Sequence, residues 1–387
     1  MKTNLKRDTL WVLFFVTIFI NGFEAAGYQA SLWNIGQTYE LSTTRMGLFA
    51  SVELFATMLA PLLLGAWADR NNKIKCLKIL LGIQFIAALL ILLFISERLF
   101  VAGTFFLGLT TSATQFIAIA ALADNYPVSG KTKIGYMTSM YALGAFVAPL
   151  VVSFYLAHGF HWRTLFAFLT VGSLIILIGL MMAFDGPREA SSEQTSKENS
   201  GGRFVLIGIL LLCVVMCIYV GFENGFAFFV DTLFKSELNS NIGKYALSVF
   251  WIVMIPSRVL VGHFEKYSSK ILLTAVVAIP VITIIISMLS NGLAVLLLCV
   301  PLGFACGAIY PSVLTILIPL AGKKTATATG MITTATGLGG FAFTALTGFL
   351  ADICGMRHAI MILASFFAVS LVAVICTLEQ NNNIEQL

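Results

Sequence analysis

Three acidic residues fall inside long apolar stretches: Glu24, Glu53 and Glu223. A charge at membrane depth is costly unless it faces a cavity or a partner, so each is a candidate for function. Around Glu24, the positions Thr17, Asn21, Tyr28 and Ser31 step by three and four residues and share one stripe of a helix. That stripe must face water or protein rather than lipid. Glu223 follows Tyr219 by one helical turn and precedes Phe226 by about one turn, an acid framed by aromatic rings. A carboxyl in such a setting can bind a proton on one side of a membrane and release it on the other, the elementary act of a proton-coupled carrier. The structural alternative is a hydrogen bond to Tyr or backbone that only ties helices together. Glu53 is expected near the outer mouth, and Asp124 and Asp231 near stretch ends, where solvation is easy and a structural role is expected. Arg258 is the one base inside a stretch; it can neutralise an acid or snorkel to the inner surface. With three acids against one base, the site suits neutral or cationic solutes better than anions.

Hydroxyl and aromatic groups extend this candidate cavity. Gln115 sits in a run with Thr110, Thr111 and Thr114; Thr138 and Tyr141, Trp251, Tyr310, Thr333 and Thr336 lie in other stretches. They can offer hydrogen bonds and stacking faces to a sugar ring or a flat cation, or serve plain helix packing. His158, His161, His263 and His358 all fall near stretch ends and form no ligand cluster. With no phosphate-binding glycine loop, no nucleophile beside a base and no metal spacing, the chain is expected to hold no catalytic residue, metal or organic cofactor. Nucleic acid is not an expected partner. A small-molecule substrate and the lipid bilayer are, and the driving force is a proton gradient, with sodium left open.

The elements that must position these residues follow from composition. Of 387 residues, 59% are hydrophobic and 11% charged, with a mean hydropathy of +0.94. A soluble protein has about a quarter charged residues. The apolar excess must face lipid. Stretches of roughly spanning length, about 20 residues, occur at 10–34, 45–68, 76–96, 99–122, 134–157, 163–184, 204–232, 244–264, 270–289, 292–318, 326–350 and 358–377. Twelve spans leave no room for a large domain outside the membrane. The segment 185–203 is rich in Ser, Glu, Lys and Gly and reads as a flexible linker. The expected fold is an all-α polytopic membrane protein: one six-helix bundle over 1–184, the linker, and a second bundle over 204–387.

Lys and Arg set the orientation, because basic residues near span ends stay on the cytoplasmic side. With both termini inside, 16 fall on the inner side and 6 on the outer side, Arg258 being left within a span. A multi-pass protein of the inner membrane is expected. The halves also repeat each other. Gly22-Phe23-Glu24 recurs as Gly221-Phe222-Glu223, and Gly135, Thr138, Leu143, Gly144, Phe146 and Phe154 recur 195 residues later as Gly330, Thr333, Leu338, Gly339, Phe341 and Phe349. Two bundles related by an axis along the membrane normal would produce this pattern and set Glu24 and Glu223 on opposite walls of a central cavity.

Between the second and third stretches, Gly65-Ala66-Trp67-Ala68-Asp69-Arg70 followed by Lys73 resembles the signature loop of the major facilitator superfamily. Gly348 to Asp352 echoes a related pattern, and Trp162-Arg163 is another frequent feature of that family. The resemblance covers the whole chain. It implies alternating access by rocking of two bundles, with Asp69 and Arg70 in a charge latch that gates one state, and Arg258 placed with them as a gating residue. It also implies a fold that can work as a monomer. Tyr219 to Glu223, and Tyr310-Pro311 with Thr327 to Ile332, are similar to the fucose/galactose/glucose proton symporter branch. Sugar-like uptake is therefore expected ahead of efflux of amphipathic compounds, with a non-transporting receptor as the alternative of another class.

Overall fold

The computed structural model describes residues 10–126, 130–182, 204–321 and 325–385, so the linker at 185–203 lies outside the described residues. The described chain is helical. It runs α1 (Leu10–Thr38), α2 (Thr43–Arg70), α3 (Lys73–Leu93), α4 (Glu97–Asn125), α5 (Gly130–Ala157), α6 (Thr164–Met182), α7 (Leu206–Glu237), α8 (Gly243–His263), α9 (Ser268–Met288), α10 (Gly292–Ala321), α11 (Thr325–Cys354), α12 (Met356–Ser365) and α13 (Phe367–Glu385). Helices close all their backbone hydrogen bonds within the segment, which lipid demands. Among the described residues, twelve spans are long and apolar enough to cross a membrane, α12 and α13 together making the last. Each expected stretch falls on one of them, and most helices run several residues past the apolar run.

Short connections leave little room for long caps. Asn72 accepts from the Lys75 amide at 3.0 Å to start α3, and Ser96 starts α4 through the Leu99 amide. Arg163 donates to the Leu92 carbonyl at 2.9 Å, satisfying an orphan acceptor at the end of α3. Trp162 anchors the same corner, buried edge-on against Phe100 and Phe166.

The chain divides into two compact units, Met1–Ser31 with Val52–Thr195, and Leu32–Ser51 with Ser196–Leu387. The ends of α1 and α2 around the Thr38–Thr43 connection thus group with the second unit, not with residues 1–184. Small residues explain this. Gly47 of α2 packs on the Thr344 carbonyl and on Gly348 of α11, and Ser51 donates to the Phe341 carbonyl at 3.0 Å.

Inside each unit the same crossings recur. In the first, a methyl group on Gly22 would collide with the Tyr141 backbone, and one on Gly144 with the Phe19 backbone, so α1 and α5 touch main chain to main chain. In the second, Gly339 meets the Cys217 backbone and Gly221 the Phe343 ring, bringing α7 and α11 together in the same way. Small residues allow such contact between membrane helices, whose association depends on close packing because lipid is as apolar as Leu. Four glycines of the sequence repeat, Gly22, Gly144, Gly221 and Gly339, are contact points of a repeated packing.

Candidate functional site

In the first unit, α1 carries Asn21, Glu24 and Tyr28 on one face. Asn21 Nδ2 donates to the Thr111 carbonyl at 2.9 Å and to Thr114 Oγ1 at 3.0 Å, fastening α1 to α4. The Thr114 hydroxyl in turn donates to the Thr111 carbonyl at 3.0 Å, leaving a lone pair free for Asn21. α2 brings Glu53 to the same place. Gly108 of α4 lies directly against the Glu53 backbone, and a side chain there would push the two helices apart.

Glu24 and Glu53 are 1% and 3% exposed, and their carboxyl groups lie close enough to interact with each other. Two carboxyl groups this close can hydrogen-bond to each other only when one of them carries a proton. Tyr28 interacts with both acids and packs edge-on against Phe100 at 5.9 Å. Glu24 Oε2, Glu53 Oε2 and Asn21 Oδ1 are buried acceptors without a partner. The expected stripe on α1 therefore faces protein, and Glu53 is buried beside Glu24, not set at a solvated mouth.

The second unit treats its repeated acid differently. Glu223 of α7 is 8% exposed and interacts with Arg258 of α8 and with Tyr219 one turn away. Tyr310 of α10, 37% exposed, stands near the same guanidinium. Arg258 is exposed to solvent and lies within electrostatic reach of Glu223, Tyr219 and Tyr310.

The remaining candidates are spread. Gln115 is half-buried beside Thr114; Tyr141 sits at the α1–α5 crossing; Trp251 is 7% exposed, beside Phe250. Thr333 and Thr336 donate to carbonyls of their own helix. Arg70 is exposed at the end of α2, and the side chains of Asp69 and Thr138 lie outside the described residues. Lys73, from the basic part of the signature loop, pairs with Asp124 at the end of α4.

Two charged residues named from the sequence make contacts that the sequence did not give. Asp231, expected at a solvated span end, is 1% exposed and bonds Lys244 at 2.5 Å and Lys235 at 3.0 Å, with Lys235 lying over the Trp33 ring at 5.5 Å. The Asp231–Lys235 spacing of four was a readable signal; the Lys244 contact needs the α7–α8 turn to form. Asp352 at the end of α11 accepts from the Thr43 amide and hydroxyl and the Thr44 amide, capping α2.

Twelve membrane-crossing helices with acids held at depth make this a polytopic transport protein. The chain belongs to the Major Facilitator Superfamily, whose family model matches residues 14–344. It is similar to the glucose/mannose transporter GlcP of Bacillus subtilis (strain 168), 21% identical over 307 residues that cover 76% of this chain and 75% of that one. Its fold is shared by a bacterial homolog of the human lysosomal transporter Spinster, at TM-score 0.79 and 13% identity over 96% of this chain and 97% of that one. A D-xylose-proton symporter has the same fold at TM-score 0.74 and 14% identity, covering 95% and 96%.

Proposed function

We propose that this transporter couples proton movement to uptake of a small neutral, sugar-like solute, and that the Glu24–Glu53 pair is the proton site. The closeness of two buried carboxyls carries this reading, because a pair at that depth avoids like-charge repulsion only by holding a proton. Losing that proton leaves two like charges together at membrane depth, which is tolerated only when water or a cation enters. Proton release is therefore tied to a conformation that hydrates the pair. Glu223, balanced by Arg258, serves solute binding together with Tyr219 and Tyr310, whose hydroxyls and rings suit a polar ring compound. The sugar assignment is supported by the Bacillus subtilis relative, a glucose/mannose transporter. The protein needs no organic cofactor and no catalytic step, acts as a monomer, and lies in the inner membrane with both termini cytoplasmic, which the 16-to-6 split of Lys and Arg supports.

Uptake of glucose, mannose and xylose into proteoliposomes tests it. With a pH gradient, acid outside, the wild type accumulates one of these sugars. Glu24→Gln and Glu53→Gln lose accumulation but keep counterflow of the same sugar. Accumulation persisting in both variants would sink the proton assignment, and a sodium gradient that drives uptake in place of the pH gradient would move the pair to sodium coupling.

A further inference from the structure

The second unit carries a groove of about 590 Å³ between α9 and α10, lined on one side by Lys270, Ile271, Thr274, Ala278 and Ile282. Val300, Pro301 and Phe304 form the other wall, and Ala275, Ala305 and Ala308 form a floor of small side chains. Val300 and Phe304 are 41% and 43% exposed. α10 is tied to α8 on its other side, where Ser257 donates to the Phe304 carbonyl at 2.6 Å. The Thr274 hydroxyl donates to the Lys270 carbonyl, so its polar group is already satisfied and the wall it presents is effectively apolar.

We propose that this groove holds one acyl chain of an anionic phospholipid whose phosphate pairs with Lys270. Two observations choose this occupant. The first is length: from Lys270 to Ile282 the helix rises about 18 Å, close to one leaflet of a hydrocarbon core about 30 Å thick. The second is charge. The single ionic lining residue, Lys270, stands at the end of the groove, with exposed Lys266 one turn before it, and no acid lines the walls. A basic group at the end of an apolar slot, on the side where Lys and Arg collect, matches a phosphate at the headgroup level with its chain running inward. A free apolar solute would have no use for the lysine.

Native mass spectrometry of the purified full-length protein, given phosphatidylglycerol or phosphatidylcholine with identical chains, tests the site. Phosphatidylglycerol adducts should outlast phosphatidylcholine adducts on the wild type. Lys270→Gln should weaken that preference about fivefold, and Ala278→Trp, which fills the slot, should lose adducts of both lipids. Sugar uptake should be unchanged in both variants. An undiminished phosphatidylglycerol preference in Lys270→Gln overturns the proposal, as does a dimer that Ala278→Trp dissolves, since a second copy would then fill the groove. Should Ala278→Trp fail to fold, the exposed Lys270→Gln change decides alone.

Discussion

Glu53 and Phe250 stand at the same point of the two repeats. Gly108 of α4 packs on the backbone of Glu53, and Gly303 of α10 packs on the backbone of Phe250. The repeat thus gives Glu24 an acid as neighbour where its counterpart Glu223 has the Phe250 position, and the charge within electrostatic reach of Glu223 is Arg258, in the next turns of the same helix α8. Two acids duplicated in sequence have been given different chemistry by what lies across from them.

The acid pair should set the pH response. Wild-type uptake should rise as the outer pH falls, because the proposed mechanism makes the proton a co-substrate. In Glu53→Gln the remaining Glu24 can be held by a neutral amide without a shared proton, so initial rates of uptake should become nearly flat with pH. Phe250→Gln, the same change at the equivalent place, should leave the pH profile intact.

Glu223 and Arg258 should depend on each other. Either Glu223→Gln or Arg258→Gln alone leaves one charge without its partner, and each should weaken solute binding. The double variant should recover part of the loss, with a coupling of about 1 kcal/mol. Dissociation constants from a thermal-shift titration, measured for all four proteins, give that number.

Asp352 should hold the start of α2. A carboxylate that caps two amides, at 3.0 and 2.8 Å, is worth about 1 kcal/mol of stability. Asp352→Ala should lower the melting temperature in detergent, while Asp352→Asn, which keeps an acceptor, should lower it less. Equal melting of wild type and Asp352→Ala would remove the cap from the account.

Asp231 should be the most sensitive charge in the second unit. Replacing it with Asn strands Lys244, which is 5% exposed, and breaking a buried pair of this kind costs about 3–5 kcal/mol. Asp231→Asn should express poorly or melt early. Asp231→Leu combined with Lys244→Met should restore much of the stability, since the apolar substitutes need no partner.

The crossings predict where size is forbidden. Gly144→Ala and Gly339→Ala each push a methyl group onto a neighbouring carbonyl, of Phe19 and of Cys217, with backbone on both sides that cannot yield cheaply. Each should destabilise by about 1–3 kcal/mol. Gly65→Ala, which meets open space, should have no such effect on melting.

Much of this protein is legible in its sequence. Twelve runs of apolar residues must cross a bilayer because lipid offers no hydrogen bonds to a backbone, and that argument needs only length and hydropathy. The duplication is equally readable, since Gly22, Gly144, Gly221 and Gly339 keep their places where the helices approach most closely. Depth alone also marks Glu24, Glu53 and Glu223 as unusual. Which charge meets which is another matter, because partners such as Glu24 and Glu53, or Asp231 and Lys244, sit on different helices and their rotation about each axis is set by packing. Hydropathy is blind to that rotation. Only the tertiary structure decided that one repeated acid lies beside a second carboxyl while the other lies near a guanidinium.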